Sequence, residues 1–135
     1  MFNRLQAFGC LMALTLAPMA ARADDLHDLG RQLYMRYCSA CHGENATGDG
    51  IVSGLMTPKP IDLTQLAKRH DGKFPFRTVM NSIDGRQTLR AHGDPDMPVW
   101  GEILTKEMPT ALGAEGVART KVAAISGYLE SIQQK

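Results

Sequence analysis

The chain has 135 residues, with 15 Lys and Arg, 14 Asp and Glu, and three Cys. This length allows one compact domain and excludes a two-domain enzyme, because a domain usually takes roughly 100 to 200 residues. Hydrophobic residues make up 44% of the chain and charged residues 21%, which excludes both a disordered charged tail and a bundle of membrane spans. A net charge of +1 predicts no nucleic-acid partner.

Residues 1–23 are predicted to be a cleaved secretory signal that precedes the domain. Arg4 gives a basic start, an apolar stretch covers residues 7–17, and Ala21-Arg22-Ala23 is an A-x-A cleavage site. A membrane anchor is the alternative, but the apolar stretch is shorter than the roughly 20 residues that a bilayer requires. Cys10 could be a lipidation site, but residues 7–9 are a poor lead-in for one, and Cys10 is interpreted as part of the signal. The domain is then expected to span residues 24–135.

The first predicted helix begins at Asp24 or Asp25, which are natural N-caps, and ends at Cys38. Its apolar residues recur at the spacing of three and four that is typical of an amphipathic helix. They are Leu26, Leu29, Leu33 and Tyr37.

The segment that follows contains Cys38, Cys41 and His42 in the order C-x-x-C-H, which is the attachment sequence for c-type haem. Cysteines three apart on a helix face the same side, so both sulfurs can form thioethers with the two vinyl groups on one porphyrin edge. His42 can then offer an imidazole nitrogen to the iron. The pattern predicts one covalently attached haem.

Two other uses of a C-x-x-C pair are less compatible with this sequence. A thiol redox pair follows a strand at a helix start, whereas Cys38 follows a helical stretch. A zinc site needs four ligands, and no second cysteine pair is present. The remaining histidines could complete such a site only by coincidence; they are His27, His70 and His92.

Two more helices are predicted in the middle of the chain. After a Gly- and Pro-rich loop, Asp62 or Thr64 can cap a short helix that stops at Asp71-Gly72. Pro75 suits the first turn of the next helix, which ends at Asp84-Gly85. The shared face of this second helix carries Phe76, Val79, Met80 and Ile83.

A loop is predicted over residues 86–101, and a last helix places residues from Ala118 to Ile132 on one side. No strand pattern or internal repeat is present, so the fold class is all-α. A domain of this size is too small to bury a large apolar core by its own side chains. A porphyrin would add apolar surface to that core, and candidates to cover its faces are Leu55, Ile61, Val79, Ile83 and Leu89.

The sixth iron ligand is expected to be a methionine thioether, which raises the reduction potential and closes the site. Met97 is favoured because a stiff turn, residues 93–96, precedes it and Pro98 follows. Met108 and His92 are the competitors. Met56 is less favoured, because it lies so close to His42 in sequence that only a loop could carry it to the other face of the haem. Met35 and Met80 are interpreted as core residues.

In these motifs the chain resembles class I monohaem cytochromes c of the bacterial periplasmic type. The likeness rests on Cys38–Gly43, on Met97-Pro98-Val99-Trp100-Gly101, and on a last helix ending Gly127-Tyr128-Leu129. It implies four to five short helices around one haem, with the first and last helices crossing. Gly30 and Tyr128 occupy the matching places at that crossing.

The resemblance also implies roles for residues around the haem. A proline carbonyl, Pro58 in preference to Pro60, is expected to accept the proton on the other nitrogen of His42. Trp100, Arg86 and Arg90 are candidates to hold the haem propionates. Basic side chains that could guide a redox partner are Lys59, Lys68, Arg69, Lys73 and Arg77, against acidic Asp94 and Asp96. The alternative is an ordinary solvated surface of mixed charge.

The expected function is that of a periplasmic one-electron carrier with no reaction of its own, since iron held by His42 and Met97 has no position left for substrate. Its partners would be transient redox proteins, and it would be a monomer or the cytochrome subunit of a redox complex. The alternative is a haem-based gas sensor or a peroxidase with a displaceable sixth ligand, for which His92 would serve as a distal residue.

Overall fold

The computed structural model describes residues 21–85, 97–107 and 113–134. Over these ranges the regular elements are helical and there is no strand, which confirms the all-α prediction. The α-helices are α1 (Ala21–Tyr37), α2 (Ser39–His42), α3 (Phe76–Asp84), α4 (Trp100–Lys106) and α5 (Ala114–Ser131). Single 3-10 turns cover Ser53–Leu55, Leu63–Gln65 and Lys68–His70. None of the helices in the described ranges has the length and apolar character needed to cross a bilayer.

Helices α1 and α5 pack directly on each other at Gly30. A Cβ atom at this position would lie 2.1 Å from the Ala124 carbonyl oxygen and 3.0 Å from the Tyr128 Cβ. Only glycine permits that approach, because any side chain would push the helices apart. The predicted packing of the first helix against the last, with Gly30 beside Tyr128, is confirmed.

The hydrophobic core lies where α1 and α5 meet α3 and α4. Tyr34 and Leu104 are fully buried, and Val122 and Ile125 of α5 are 1% exposed. Val79 and Ile83 place the predicted face of α3 in the same core. Met35 and Met80 pack against its edge, in agreement with their interpretation as core residues.

The short helix predicted between Asp62 and Asp71 is instead a pair of 3-10 turns. Asp62 does cap the first turn, since its Oδ1 accepts hydrogen bonds from the Thr64 amide at 2.9 Å and from the Thr64 hydroxyl at 2.6 Å. An α-helix would then join the Ala67 N–H to the Leu63 carbonyl. The Gln133 side chain stands between them: its Oε1 accepts from the Ala67 amide at 2.8 Å, and its Nε2 donates to the Leu63 carbonyl at 2.8 Å.

The ends of the long helices differ from the predicted ones, and one helix was not predicted. Within the described residues, helix α1 is already helical at Ala21, ahead of the predicted start at Asp24 or Asp25, and Ala and Arg are good helix formers. Helix α5 begins at Ala114, one turn before Ala118, the first residue of its predicted apolar face. Helix α4 overlaps the predicted loop only at Trp100 and Gly101, lies otherwise in a stretch for which no element was predicted, and is only seven residues long. Such a segment is too short to show a clear apolar period.

Candidate functional site

Cys38, Cys41 and His42 lie on one tight turn where α1 gives way to α2. The Cys38 amide still donates to the Tyr34 carbonyl of α1 at 2.8 Å, and the Cys38 carbonyl accepts from the His42 amide at 2.9 Å. Cys38 is therefore both the last hydrogen-bonded donor of α1 and the N-cap of α2. The predicted placement of both cysteines and the histidine at the end of the first helix agrees with this geometry.

The loop that follows His42 folds back onto the same turn. The Gly48 amide donates to the His42 carbonyl at 2.8 Å, and the Gly50 amide donates to the Cys41 carbonyl at 3.2 Å. A Cβ at Gly50 would lie 2.3 Å from the Ala40 carbonyl oxygen, so the two backbones touch. The backbone of His42 is therefore held at both of its polar groups: its amide donates to the Cys38 carbonyl, and its carbonyl accepts from the Gly48 amide.

These residues form one wall of a pocket with about 430 Å³ of empty space, its open mouth included. Residues from distant parts of the sequence form the other walls, and most of the lining side chains are apolar. The lining consists of Tyr37, Cys38, Cys41, His42, Met56, Pro60, Met97, Pro98 and Trp100. The structure therefore brings the cysteine pair and histidine together with two methionine thioethers.

Burial determines the charge of the first cysteine. Cys38 is 7% exposed, and desolvation, with a smaller effect of Cys41, raises the pKa of its thiol to about 12. A thiol redox pair depends on a lowered pKa, so this environment does not support that alternative. Both thiols are free of a disulfide. A neutral thiol, or the neutral thioether made from it, suits the apolar surroundings of the pocket.

Tyr34, a buried residue of α1, also stabilises this turn. Its hydroxyl donates to the Gly43 carbonyl at 2.6 Å, directly after His42. Desolvation raises the pKa of the Tyr34 phenol well above its ordinary value of 10.0. No signal in the sequence marks this role, because Tyr34 and Gly43 are not at helical spacing and no local motif accompanies the bond.

Trp100 and Tyr37 form an aromatic part of the pocket wall and also pack against the edge of the core. Their ring centroids are 5.3 Å apart, and the rings are tilted by 54°. The Tyr37 hydroxyl donates to Glu107 Oε2 at 2.7 Å, which raises the pKa of the Tyr37 phenol. Trp100 thus lies in the predicted site, whereas Arg86 and Arg90, the other predicted propionate contacts, fall outside the described residues.

The predicted sixth ligand, Met97, is half-buried and lines the pocket. Met56 lines it as well, although its closeness to His42 in sequence argued against it. The competitors Met108 and His92 lie outside the described residues. The geometry is compatible with Met97 as the ligand, and its assignment stays a prediction.

The two candidate prolines differ in position. Pro60 is buried and lines the pocket, whereas Pro58 is exposed and does not. The preference for Pro58 therefore has no support from the pocket lining, because the chain turns outward at residues 57–59 before Pro60 returns to the wall. The Nδ1 atom of His42 is buried. Which carbonyl orients it stays a prediction.

The other predicted contacts are divided between core and surface. Val79 and Ile83 belong to the core, Leu55 and Ile61 are exposed, and none of the four lines the pocket. Leu89, Asp94 and Asp96 lie outside the described residues. The predicted basic side chains are all exposed, namely Lys59, Lys68, Arg69, Lys73 and Arg77.

The zinc alternative finds no support in residues 21–85, 97–107 and 113–134, where no group of three or more His, Cys, Asp or Glu side chains is arranged to hold a metal. The His27 Nε2 lies 3.0 Å from the Ser131 hydroxyl, and the His70 Nδ1 lies 2.8 Å from the Leu66 carbonyl. Both rings are thus engaged away from the cysteines.

The residues of the pocket fit a covalently attached porphyrin. Two free thiols one turn apart can form thioethers, the adjacent imidazole can bind iron, and a thioether sulfur lines the same cavity. The apolar lining suits the faces of the macrocycle.

Comparison with known proteins agrees with this fit. The family model for Cytochrome c matches residues 27–133, which include the cysteine pair, Met97 and α5. No match was found among curated proteins or among solved structures.

Proposed function

The chain belongs to the cytochrome c family, and from this premise we propose that it is a periplasmic one-electron carrier of the bacterial class I type with His42 and Met97 as iron ligands. Haem-based electron transfer is the general function of the family, and its haem c is attached through cysteines, here Cys38 and Cys41. The observation that carries the proposal is the single pocket lined by both cysteines, His42 and Met97.

Haem, when attached, supplies an iron that alternates between Fe(III) and Fe(II). The side chains of the pocket would hold and orient this haem. Cys38 and Cys41 fix the porphyrin edge, and the Tyr34 bond to Gly43 holds the backbone next to His42. Met97 lies three residues before α4 and is followed by Pro98, which limits the backbone freedom of this segment. A methionine ligand together with the histidine would leave no iron position open to small molecules and would raise the reduction potential.

The ligand assignment is tested by optical spectra of the oxidised and reduced protein. We expect Met97→Ala to abolish the long-wavelength sulfur-to-iron band and to allow carbon monoxide to bind. Met56→Ala is the matched control, because this second methionine lines the same pocket, and it should keep the band. A band that survives in Met97→Ala would reassign the ligand to Met108 or another methionine.

The alternative function, a gas sensor or peroxidase, makes the opposite prediction for the unmodified protein. It requires a sixth ligand that is easily displaced, so the wild type itself would bind carbon monoxide readily. A wild-type spectrum that does not change under carbon monoxide would support the electron carrier.

Export is part of the proposal and rests on the pattern of residues 1–23. Cleavage after Ala23 would leave Asp24 at the start of α1, where a carboxylate interacts favourably with the helix dipole. Mass spectrometry of the protein from the periplasmic fraction tests this point: the expected chain starts at Asp24 and carries the added mass of one haem. Co-purification at native expression distinguishes a free carrier from a subunit of a redox complex.

A further inference from the structure

Helix α4 follows the segment that carries Met97. One residue of α1, Tyr37, contacts both ends of this helix. Trp100 begins the helix and Glu107 follows its last residue. The Tyr37 ring lies 5.3 Å from the Trp100 ring, and the Tyr37 hydroxyl donates to the Glu107 carboxylate at 2.7 Å. A seven-residue helix is about 10 Å long, and the two contacts of Tyr37 engage a residue at each of its ends.

Tyr37 is also the neighbour of Cys38. It is the last residue of α1, and both residues line the pocket. Met97 and Pro98, much later in the sequence, line the same pocket and lead through Val99 into Trp100. The Tyr37 contacts therefore link the wall that holds the cysteines to the wall that holds the methionine.

We propose that Tyr37 is a positioning residue for Met97: with Glu107 and Trp100 it clamps α4 against the end of α1 and so holds the methionine at the pocket. This inference rests on the proposed role of Met97 as iron ligand. The bond between a hydroxyl and a carboxylate is stronger than a neutral one, which suits a clamp on a helix as short as α4. Leu104, fully buried, fixes the inner face of the same helix.

The experiment measures how easily added imidazole replaces the sulfur ligand in the oxidised haem protein. Tyr37→Phe removes the hydroxyl and keeps the ring, and Glu107→Ala removes the acceptor. We expect each to raise the apparent imidazole affinity about three- to tenfold and to weaken the sulfur-to-iron band. The double variant should gain no more than either single variant, because both break the same bond.

Two variants provide the controls. Glu107→Gln retains a side-chain carbonyl that can accept from the Tyr37 hydroxyl in a neutral and weaker bond, so its imidazole affinity should fall between those of wild type and Glu107→Ala. Glu102→Gln changes another exposed carboxylate of α4, which is bonded to Lys106 at 2.7 Å and not to Tyr37. It should leave the affinity unchanged, and a rise equal to that of Tyr37→Phe would overturn the proposal.

A readout that does not depend on the iron separates this inference from the proposed function. The amides of Ile103 and Glu107 donate to the Val99 and Ile103 carbonyls along α4. They should exchange with deuterium several-fold faster in Tyr37→Phe than in Glu102→Gln. Unchanged exchange would overturn the clamp even if Met97 proves to be the ligand. If the exported protein carried no haem, the proposed function would be refuted. Faster exchange in Tyr37→Phe would support the clamp in that case as well.

Discussion

Tyr34 and Gly43 are joined by a hydrogen bond in which the Tyr34 hydroxyl donates to the Gly43 carbonyl at 2.6 Å. Both residues are buried, and they come from α1 and from the backbone just beyond His42. Tyr34→Phe leaves the carbonyl without this donor, so we expect unfolding in urea to show a loss of about 1–3 kcal/mol. The control is Ser82→Ala, which removes an exposed hydroxyl that donates to the Thr78 carbonyl. It should change stability by less than about 0.5 kcal/mol.

The same tyrosine predicts a loss of stability in alkali. Burial raises the pKa of Tyr34 in the folded chain, while the phenol of the unfolded chain ionises near its ordinary value of 10.0. The stabilisation is complete below pH 10, and above it the unfolded chain releases a proton that the folded chain retains. Stability should therefore fall with a contribution of about 1.4 kcal/mol per pH unit. Urea midpoints between pH 8 and 11 test this, and a difference between wild type and Tyr34→Phe that stays constant with pH would contradict it.

Gly30 and Gly127 make a pair of alanine substitutions with opposite expected signs. A Cβ at Gly30 would lie 2.1 Å from the Ala124 carbonyl oxygen, whereas one at Gly127 would have nothing within 4 Å. Gly30→Ala should cost about 1–3 kcal/mol of unfolding free energy, because α1 and α5 must separate. Gly127→Ala should stabilise by about 0.5–1 kcal/mol through helix propensity. Thermal unfolding followed by circular dichroism measures both, and equal signs would refute the assigned helix contact.

Gln133 is expected to be important for the middle segment. Its side chain bonds to the Ala67 amide and to the Leu63 and Leu129 carbonyls. Gln133→Ala should cost about 1–3 kcal/mol and speed hydrogen exchange at Ala67, since the buried amide loses its acceptor. Gln134→Ala is the matched control, because that side chain makes only an exposed contact with Gln65 among the bonds described here. Slow exchange at Ala67 in the Gln133 variant would contradict the role.

Local chemistry accounts for what could be predicted from sequence. The C-x-x-C-H motif needs only one turn of backbone to place its three side chains, and Asp84-Gly85 ends α3 as expected, with Gly85 at φ +79°. The position of Pro60 in the pocket lining, in contrast, depends on the path of the chain around it and not on the spacing from His42.

The features that were missed depend on residues far apart in sequence. Gln133 replaces the hydrogen bond that an α-helix would form between Leu63 and Ala67, so the segment's own propensity does not decide its structure. Helix α4 is likewise fixed by the burial of Leu104 and by the contacts of Trp100 and Glu107 with Tyr37. Neither arrangement has a signature in a short sequence window.

The position of Trp100 also gives the protein a built-in optical reporter. It is the only tryptophan in the chain, and it stands in the wall of the pocket beside Tyr37. A porphyrin absorbs at the wavelengths where indole emits, so fluorescence from this residue should be strong in the bare polypeptide and nearly extinguished after maturation. The ratio of emission to absorbance would then measure, in a single cuvette, what fraction of a preparation has acquired its pigment.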